Sequence, residues 1–173
     1  MTMKTLWFGS TILAAAAMAA PAAAQTQADF YVGAQAGYHD LGDNPFGDDD
    51  GAIFGTYVGV DVPVGETVIL GVEGNYNLGT GAIDSEYGIA GKLGVRVGQG
   101  AQIFARGGYQ EVNFDLNNLV GGPVPGGVDD TEGDYLVGAG AQFMVSPNVS
   151  LRAVLDTIAF DSVRATAGLA LHF

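Results

Sequence analysis

The segment VRATAGLALHF, residues 163–173, has a regular alternation of apolar and polar positions. Apolar residues occupy every second position from Val163 to Phe173, while Arg164 and Thr166 lie between them. Successive side chains of a β-strand point to opposite faces, so this alternation predicts a strand with one apolar and one polar face. Together with similar segments upstream it predicts an all-β fold of eight strands, at 29–39, 52–62, 67–78, 86–97, 101–113, 133–145, 149–160 and 163–173.

Charged side chains show which way these strands face. Every cation after residue 24 lies mid-strand on the polar face, and two acids share that face; the set is Glu73, Lys92, Arg96, Arg106, Arg152, Asp156 and Arg164. The predicted loops are acidic and contain no Lys or Arg, whereas a soluble protein would also place cations in its loops. We therefore predict an antiparallel up-and-down transmembrane barrel whose charges form a lumen network that plugs the pore. The alternative is a soluble sandwich with one solvated sheet face.

The lengths of the segments and connections agree with a membrane barrel. Eleven residues at ~3.3 Å each, tilted by about 40°, rise roughly 28 Å, close to the apolar band of outer-membrane barrels. Tight turns at 63–66, 98–100 and 146–148 alternate with longer acidic connections at 40–51, 79–85 and 114–132. This is the pattern of periplasmic turns and extracellular loops, with the short link at 161–162 as the exception.

Some apolar residues do not fit the two-residue pattern. Four of them fall on the predicted lumen face: Phe104, Val154, Ile158 and Phe160. After Tyr109 the apolar positions of the fifth segment change phase, at Val112, Phe114 and Leu116. We interpret this change as a β-bulge or as the strand leaving the bilayer.

Composition and the N-terminus exclude several classes of protein. With 6 Lys+Arg against 19 Asp+Glu and a formal charge of −13, the chain lacks the cations that nucleic-acid binding requires. It has no Cys, so it forms no disulfide or zinc-thiolate site. Residues 1–24 read as a cleavable signal peptide, with Lys4 before an apolar run and small residues before the cleavage site. The barrel domain is then 25–173.

The candidate chemistry is sparse. His39 and His172 are the only histidines, and neither belongs to the His-x-Ser pair of a membrane deacylase, so both are expected to be rim residues. Acidic clusters at 40–50 and 129–134 are expected to be solvated, with weak divalent-cation binding that bridges to lipopolysaccharide phosphates as the alternative. No cofactor, catalytic or protein-bound metal site is predicted.

Several short features carry a resemblance. The opening Asp29-Phe30-Tyr31-Val32-Gly33, the pairs Gly37-Tyr38 and Gly108-Tyr109, and the closing Ala167-Gly168-Leu169-Ala170-Leu171-His172-Phe173 resemble the opacity or OmpA-like "porin family" of Gram-negative outer-membrane barrels. The resemblance implies contact with outer-membrane lipids and lipopolysaccharide. It also implies that the barrel-assembly machinery reads the C-terminal signal Leu169, Leu171 and Phe173. We expect no peptidoglycan-binding domain after Phe173.

These observations together predict a non-enzymatic, monomeric outer-membrane barrel with a structural or surface-interaction role. Two alternatives stay open. A narrow ion-conducting pore is the first, although side chains largely fill the interior of an eight-stranded barrel. A lipid A-modifying enzyme is the second.

Overall fold

The computed structural model of the protein describes residues 27–40, 51–80, 83–114 and 131–173. It confirms an all-β, eight-stranded antiparallel barrel. The strands are β1 (Asp29–Asp40), β2 (Gly51–Val64), β3 (Val68–Gly79), β4 (Ile83–Val97), β5 (Ala101–Phe114), β6 (Thr131–Ser146), β7 (Val149–Ile158) and β8 (Ser162–His172). The predicted signal peptide, 1–24, lies outside the described residues.

The barrel closes where the last strand meets the first. β8 pairs antiparallel with β1, from Tyr31 opposite His172 to Asp40 opposite Val163. Beyond the end of β8, the Phe173 amide donates a 2.9 Å hydrogen bond to the carbonyl of Phe30. Because each strand has two neighbours, the backbone hydrogen bonds are satisfied within the sheet, as the interior of a bilayer requires.

The outward face of the barrel is apolar and the inward face is polar. Among the outward side chains, Ile89, Leu93 and Leu155 are 59%, 55% and 57% exposed. Charged side chains such as Arg164 and Glu86 are instead fully buried in the lumen. A soluble sandwich would have the reverse arrangement, so the fold is that of a membrane barrel. No helix in the described ranges is long and apolar enough to cross a membrane.

Apolar clusters line part of the lumen. At the end of the barrel that carries the long connections, Ile53, Ile83 and Val112 pack together. A second cluster contains Ala90, Leu136 and Ile158. Toward the other end, Tyr31 and Tyr57 pack with Ala170. The lumen therefore accepts apolar side chains wherever they can pack against each other.

This packing explains the misfit positions. Phe104, Val154 and Ile158 lie buried in the lumen, as their phase predicts. The predicted phase change after Tyr109 is wrong for the described part of β5, because its pairing with β6 is regular and buried Val112 continues the inward phase. The register shift lies instead in β4, between Ile83 and Ser85. Leu116 falls outside the described residues.

The short connections use left-handed backbone. Gly65 and Gly98 have φ values of 70° and 66° in two of the tight turns, where glycine adopts this conformation without strain. The β7–β8 link is also short, and there Ala159 and Phe160 have φ values of 55° and 64°. These two residues reverse the chain, which turns Phe160 outward and leaves it 75% exposed. Its predicted lumen position is therefore wrong.

Candidate functional site: the charge network of the lumen

Glu73 is the centre of the charged cluster. It lies on β3, 2% exposed, and its carboxylate accepts hydrogen bonds from three residues on other strands. Arg106 Nη1 donates to Oε1 at 2.8 Å, and Arg152 donates to both oxygens. The Tyr31 hydroxyl donates to Oε2 at 2.9 Å. One carboxylate thus links strands on opposite sides of the lumen.

Asp156 and Glu86 extend the cluster through two guanidinium groups. Arg106 binds Asp156 in bidentate fashion, with Nε and Nη2 at 2.7 and 2.6 Å from its oxygens. Arg164 Nη2 donates to Asp156 at 2.9 Å, and its Nη1 donates to Glu86 at 2.5 Å. Glu86 also accepts from the Asn77 amide at 2.8 Å. Bidentate pairing of this kind is the strong form of charge-assisted hydrogen bond.

Lys92 joins the cluster at its other side. Its Nζ lies 2.8 Å from Asp61 Oδ2 and donates to the Tyr31 hydroxyl at 3.1 Å. It also lies 4.7 Å from the centre of the Tyr31 ring, while the Arg152 guanidinium lies 4.1 Å from the centre of the Tyr57 ring. Aromatic faces thus take over part of the solvation of the buried cations.

The buried charges balance. The network contains four carboxylates and four Lys or Arg cations: Asp61, Glu73, Glu86 and Asp156 against Lys92, Arg106, Arg152 and Arg164. Each side chain among them is at most 5% exposed. An unpaired charge in such a place would cost several kcal/mol, so the network holds together only as a set.

Six of the seven residues expected in the network meet in it: Glu73, Lys92, Arg106, Arg152, Asp156 and Arg164. Arg96 does not. It lies next to the 98–100 turn, its side chain is exposed, and within the described ranges no salt bridge reaches it. The strand ends there, so the side chain turns toward solvent rather than into the lumen.

Sequence reasoning missed two members of the network, Asp61 and Glu86, and also His39, which contacts Glu86. Asp61 shares the inward phase of Tyr57 on β2, and His39 shares that of Tyr31 on β1, so the two-residue period contained the signal. His39 was instead expected to be a rim residue, and Asp61 was not among the residues selected. Glu86 shares the inward phase of Lys92 on β4, and the residue out of phase there is Ser85, which is buried beside the irregularity.

The two histidines lie on the strands that close the barrel. His39 on β1 bonds Ser162 on β8 at 3.3 Å through Nε2, and its Nδ1 lies 2.8 Å from Glu86. His172 on β8 lies 2.9 Å from Asp29 on β1 and 2.8 Å from Ser150 Oγ. Each histidine therefore clamps β1 to β8, one near either end of the seam.

Each clamp contains a serine, a histidine and a carboxylate, the combination that activates a serine nucleophile in hydrolases. The sequence showed no His-x-Ser pair because the serines come from other strands. Ser150 is 0% exposed, and Ser162 is 6% exposed and donates its hydroxyl to the Ile158 carbonyl at 3.1 Å. Both hydroxyls are thus buried, and in each clamp the histidine joins β1 to β8.

The remaining predicted sites fall at the ends of the molecule. Leu169, Leu171 and Phe173 point outward, 52%, 52% and 75% exposed, in line along β8. The acidic clusters within 41–50 and 129–130 lie outside the described residues. In the described part of the chain, no group of three or more His, Cys, Asp or Glu side chains could hold a metal ion.

Comparison with known proteins agrees with this architecture. Residues 10–173 match the outer membrane protein beta-barrel domain family, and the chain belongs to that family. It is accordingly a protein of the bacterial outer membrane. A search of curated proteins finds no match.

Solved structures show the same fold at low sequence identity. Ail of Yersinia pestis, in complex with the heparin analogue sucrose octasulfate, is similar with a TM-score of 0.57 and 14% identity, covering 84% of this chain and 98% of Ail. The N-terminal barrel of Pseudomonas aeruginosa OprF is similar with a TM-score of 0.55 and 14% identity, and the match covers 86% of this chain and 100% of the OprF barrel. Neisserial surface protein A is similar with a TM-score of 0.53 and 18% identity, and the match covers 83% of this chain and 97% of that protein.

Proposed function

We propose that this protein is a sealed, non-enzymatic outer-membrane barrel with a structural or surface-interaction role. The observation that carries the proposal is the balanced ion-pair network, which links β3, β5, β7 and β8 across the lumen through Glu73, Arg106 and Asp156. Ions would have to break these bonds to pass. Eight strands leave an interior that side chains of this size can fill.

Apolar packing supports the same proposal. Ile53, Ile83 and Leu136 are each 2% exposed in the lumen, toward the end that carries the long connections. An ion that entered from the opposite end would meet the charged network first and an apolar layer next. Hydrophobic constrictions oppose the passage of hydrated ions even when a narrow gap exists.

The proposed absence of catalysis has a geometric basis. The only two histidines are held in seam clamps with buried serines, so a lipid ester on the outer face of the barrel would not reach either hydroxyl. A lipid A-modifying enzyme would instead need its nucleophile and base exposed on a face that the lipid touches. The outward face in the described ranges presents apolar and aromatic side chains at bilayer height.

The surface role proposed here does not include binding of sulfated polyanions. Such binding requires clustered cations, and all connections between the strands lack Lys and Arg. The long connections at 41–50 and 115–130 are instead acidic. We propose that the barrel holds these connections at the cell surface, where they interact with cationic or metal-bridged partners such as the lipopolysaccharide layer.

Planar-bilayer recording of the refolded protein tests whether the barrel is sealed. We expect no stepwise conductance in the wild-type protein, and openings once Arg106 and Glu73 are replaced together by Ser, which removes bulk and charge from the centre. Steady openings in the wild-type protein would instead establish the narrow-pore alternative. Mass spectrometry of lipid A from cells with and without the gene tests the enzyme alternative, which a gene-dependent loss or gain of an acyl chain would establish.

A further inference from the structure

Two adjoining recesses open at the end of the barrel that carries the tight turns. The inner one has a volume of about 220 Å³ and the outer one about 560 Å³. They share four lining residues: Asp29, Pro63, Arg96 and Met144. We propose that the inner recess binds a small zwitterion, a primary ammonium group carried a few bonds away from a phosphate or carboxylate.

The buried wall of the inner recess contains unused hydrogen-bond acceptors. Asp61 and Gln142 both line it and are 3% and 4% exposed. Asp61 Oδ2 contacts Lys92 at 2.8 Å and accepts from the Gln102 amide at 3.4 Å, but Oδ1 has no hydrogen-bond partner in the described part of the chain. Gln142 Oε1 is likewise without one there. Because buried acceptors normally accept a hydrogen bond, a ligand that brings N–H donors to these two oxygens would be favoured.

Arg96 supplies a positive charge at the entrance. It lines both recesses, and it lies opposite Gln102 in the β4–β5 pairing. Gln102 in turn lies opposite Gln142, so Arg96 and the unused acceptors are neighbours across two strands. Asp29, the acid at the same entrance, is held by His172 at 2.9 Å. The Arg96 guanidinium is therefore available to an incoming anion.

The two halves of the site select for both charges on one molecule. A free anion would meet the Asp61 carboxylate inside the recess, and a free ammonium group would meet the Arg96 guanidinium on the way in. A zwitterion satisfies both, because its N–H donors face Asp61 and Gln142 while its anion stays at Arg96. Ethanolamine phosphate has this chemistry, both as a free solute and as the headgroup of a phospholipid in the membrane leaflet next to the tight turns.

Titration of O-phosphoethanolamine into the isotope-labelled barrel in an uncharged detergent, followed by NMR amide shifts at residues 98–102, tests the proposal. We expect saturable shifts, with Arg96→Gln weakening binding about tenfold and Arg96→Lys about twofold at most, since the lysine keeps the charge that attracts the anion. Gln142→Leu should weaken binding as well. Ethanolamine alone and inorganic phosphate alone should each bind more weakly than the zwitterion.

Arg96→Gln changes an exposed side chain, so its fold is secure even if Gln142→Leu fails to refold. Any of three results would overturn the proposal: shifts that do not saturate, inorganic phosphate that binds as tightly as the zwitterion, or an affinity that Arg96→Gln leaves unchanged. Nanodiscs separate the two sources of the ligand. If the shifts are already present in phosphatidylethanolamine nanodiscs, but appear in phosphatidylglycerol nanodiscs only after solute is added, the site binds the lipid headgroup. If the spectra in the two lipids are equal, the site binds the free solute.

Discussion

Replacing Glu73 by Gln removes the central negative charge of the lumen while keeping the size and shape of the side chain. The carboxylate accepts from Arg106, Arg152 and Tyr31, and all of these contacts are buried. The amide keeps one carbonyl acceptor, but its NH₂ group faces guanidinium donors. The balance of four carboxylates and four cations becomes three against four.

The expected cost follows from this imbalance. Breaking a buried ion pair by removing one partner typically costs about 3–5 kcal/mol, because the other charge stays buried without compensation. With a urea slope of about 2 kcal/mol per M, the unfolding midpoint should fall by about 2 M. The double variant E73Q/R152M should recover part of the loss, because it restores the balance and leaves an apolar side chain against the Tyr57 ring.

Urea unfolding of the refolded barrel in lipid vesicles measures the change. Trp7, the single tryptophan, lies in the predicted signal peptide, so circular dichroism and the mobility of unboiled samples on gels report folding of the mature chain. Arg96→Gln is the matched control, since this exposed cation lies outside the network and should shift stability by less than about 0.5 kcal/mol. If E73Q were no less stable than that control, the network would have no energetic role.

Three further predictions concern the outer face, the seam and the C-terminus. Ala167→Arg places a charge on the outward face at the middle of β8, and urea unfolding in vesicles should show a destabilisation of about 2–4 kcal/mol. Val163→Arg, near the strand end, should cost only about 0–1 kcal/mol. Equal costs for the two variants would contradict the assigned membrane depth. His172→Ala breaks the contact with Asp29 and should lower stability by about 1–2 kcal/mol, with faster amide hydrogen exchange at the β1–β8 seam than elsewhere; uniform exchange would argue against a clamp. Deleting Phe173 should reduce the folded fraction in cells strongly and refolding in detergent little, and equal defects in both would show that this residue acts through stability alone.

The strands were predictable because a β-strand in a bilayer must satisfy a local rule. Lipid contacts one face and the lumen the other, so alternation appears in each segment independently of its neighbours. The segment 101–113 corresponds to Ala101–Phe114, and 163–173 to Ser162–His172 with Phe173 just beyond. The predictions failed where a local irregularity intervened, as at the left-handed Ala159 and Phe160.

The candidate site was only partly predictable, because phase gives the face of a side chain but not its partner. Lys92 was expected among the charges, yet its acid, Asp61, lies on β2, two strands away, and was not selected. Arg96 shares the phase of Lys92 but lies beside a turn. Height along the barrel, which decides between lumen and solvent, depends on the stagger of the strands rather than on the period.

The number of strands, the face that each one turns to lipid and the confinement of the cations to the strands could be read from the amino-acid sequence. These features follow from a period of two and from the cost of placing charge in hydrocarbon. Tertiary structure alone decided the partners. The pairing of Arg152 with Glu73, 79 residues apart, and the contact of His172 with Asp29 across the seam arise only when eight staggered strands close. When the barrel closes, each inward side chain acquires a height along the barrel axis and a position around the lumen. A buried charge is stable only where an opposite charge lies close to it in both respects.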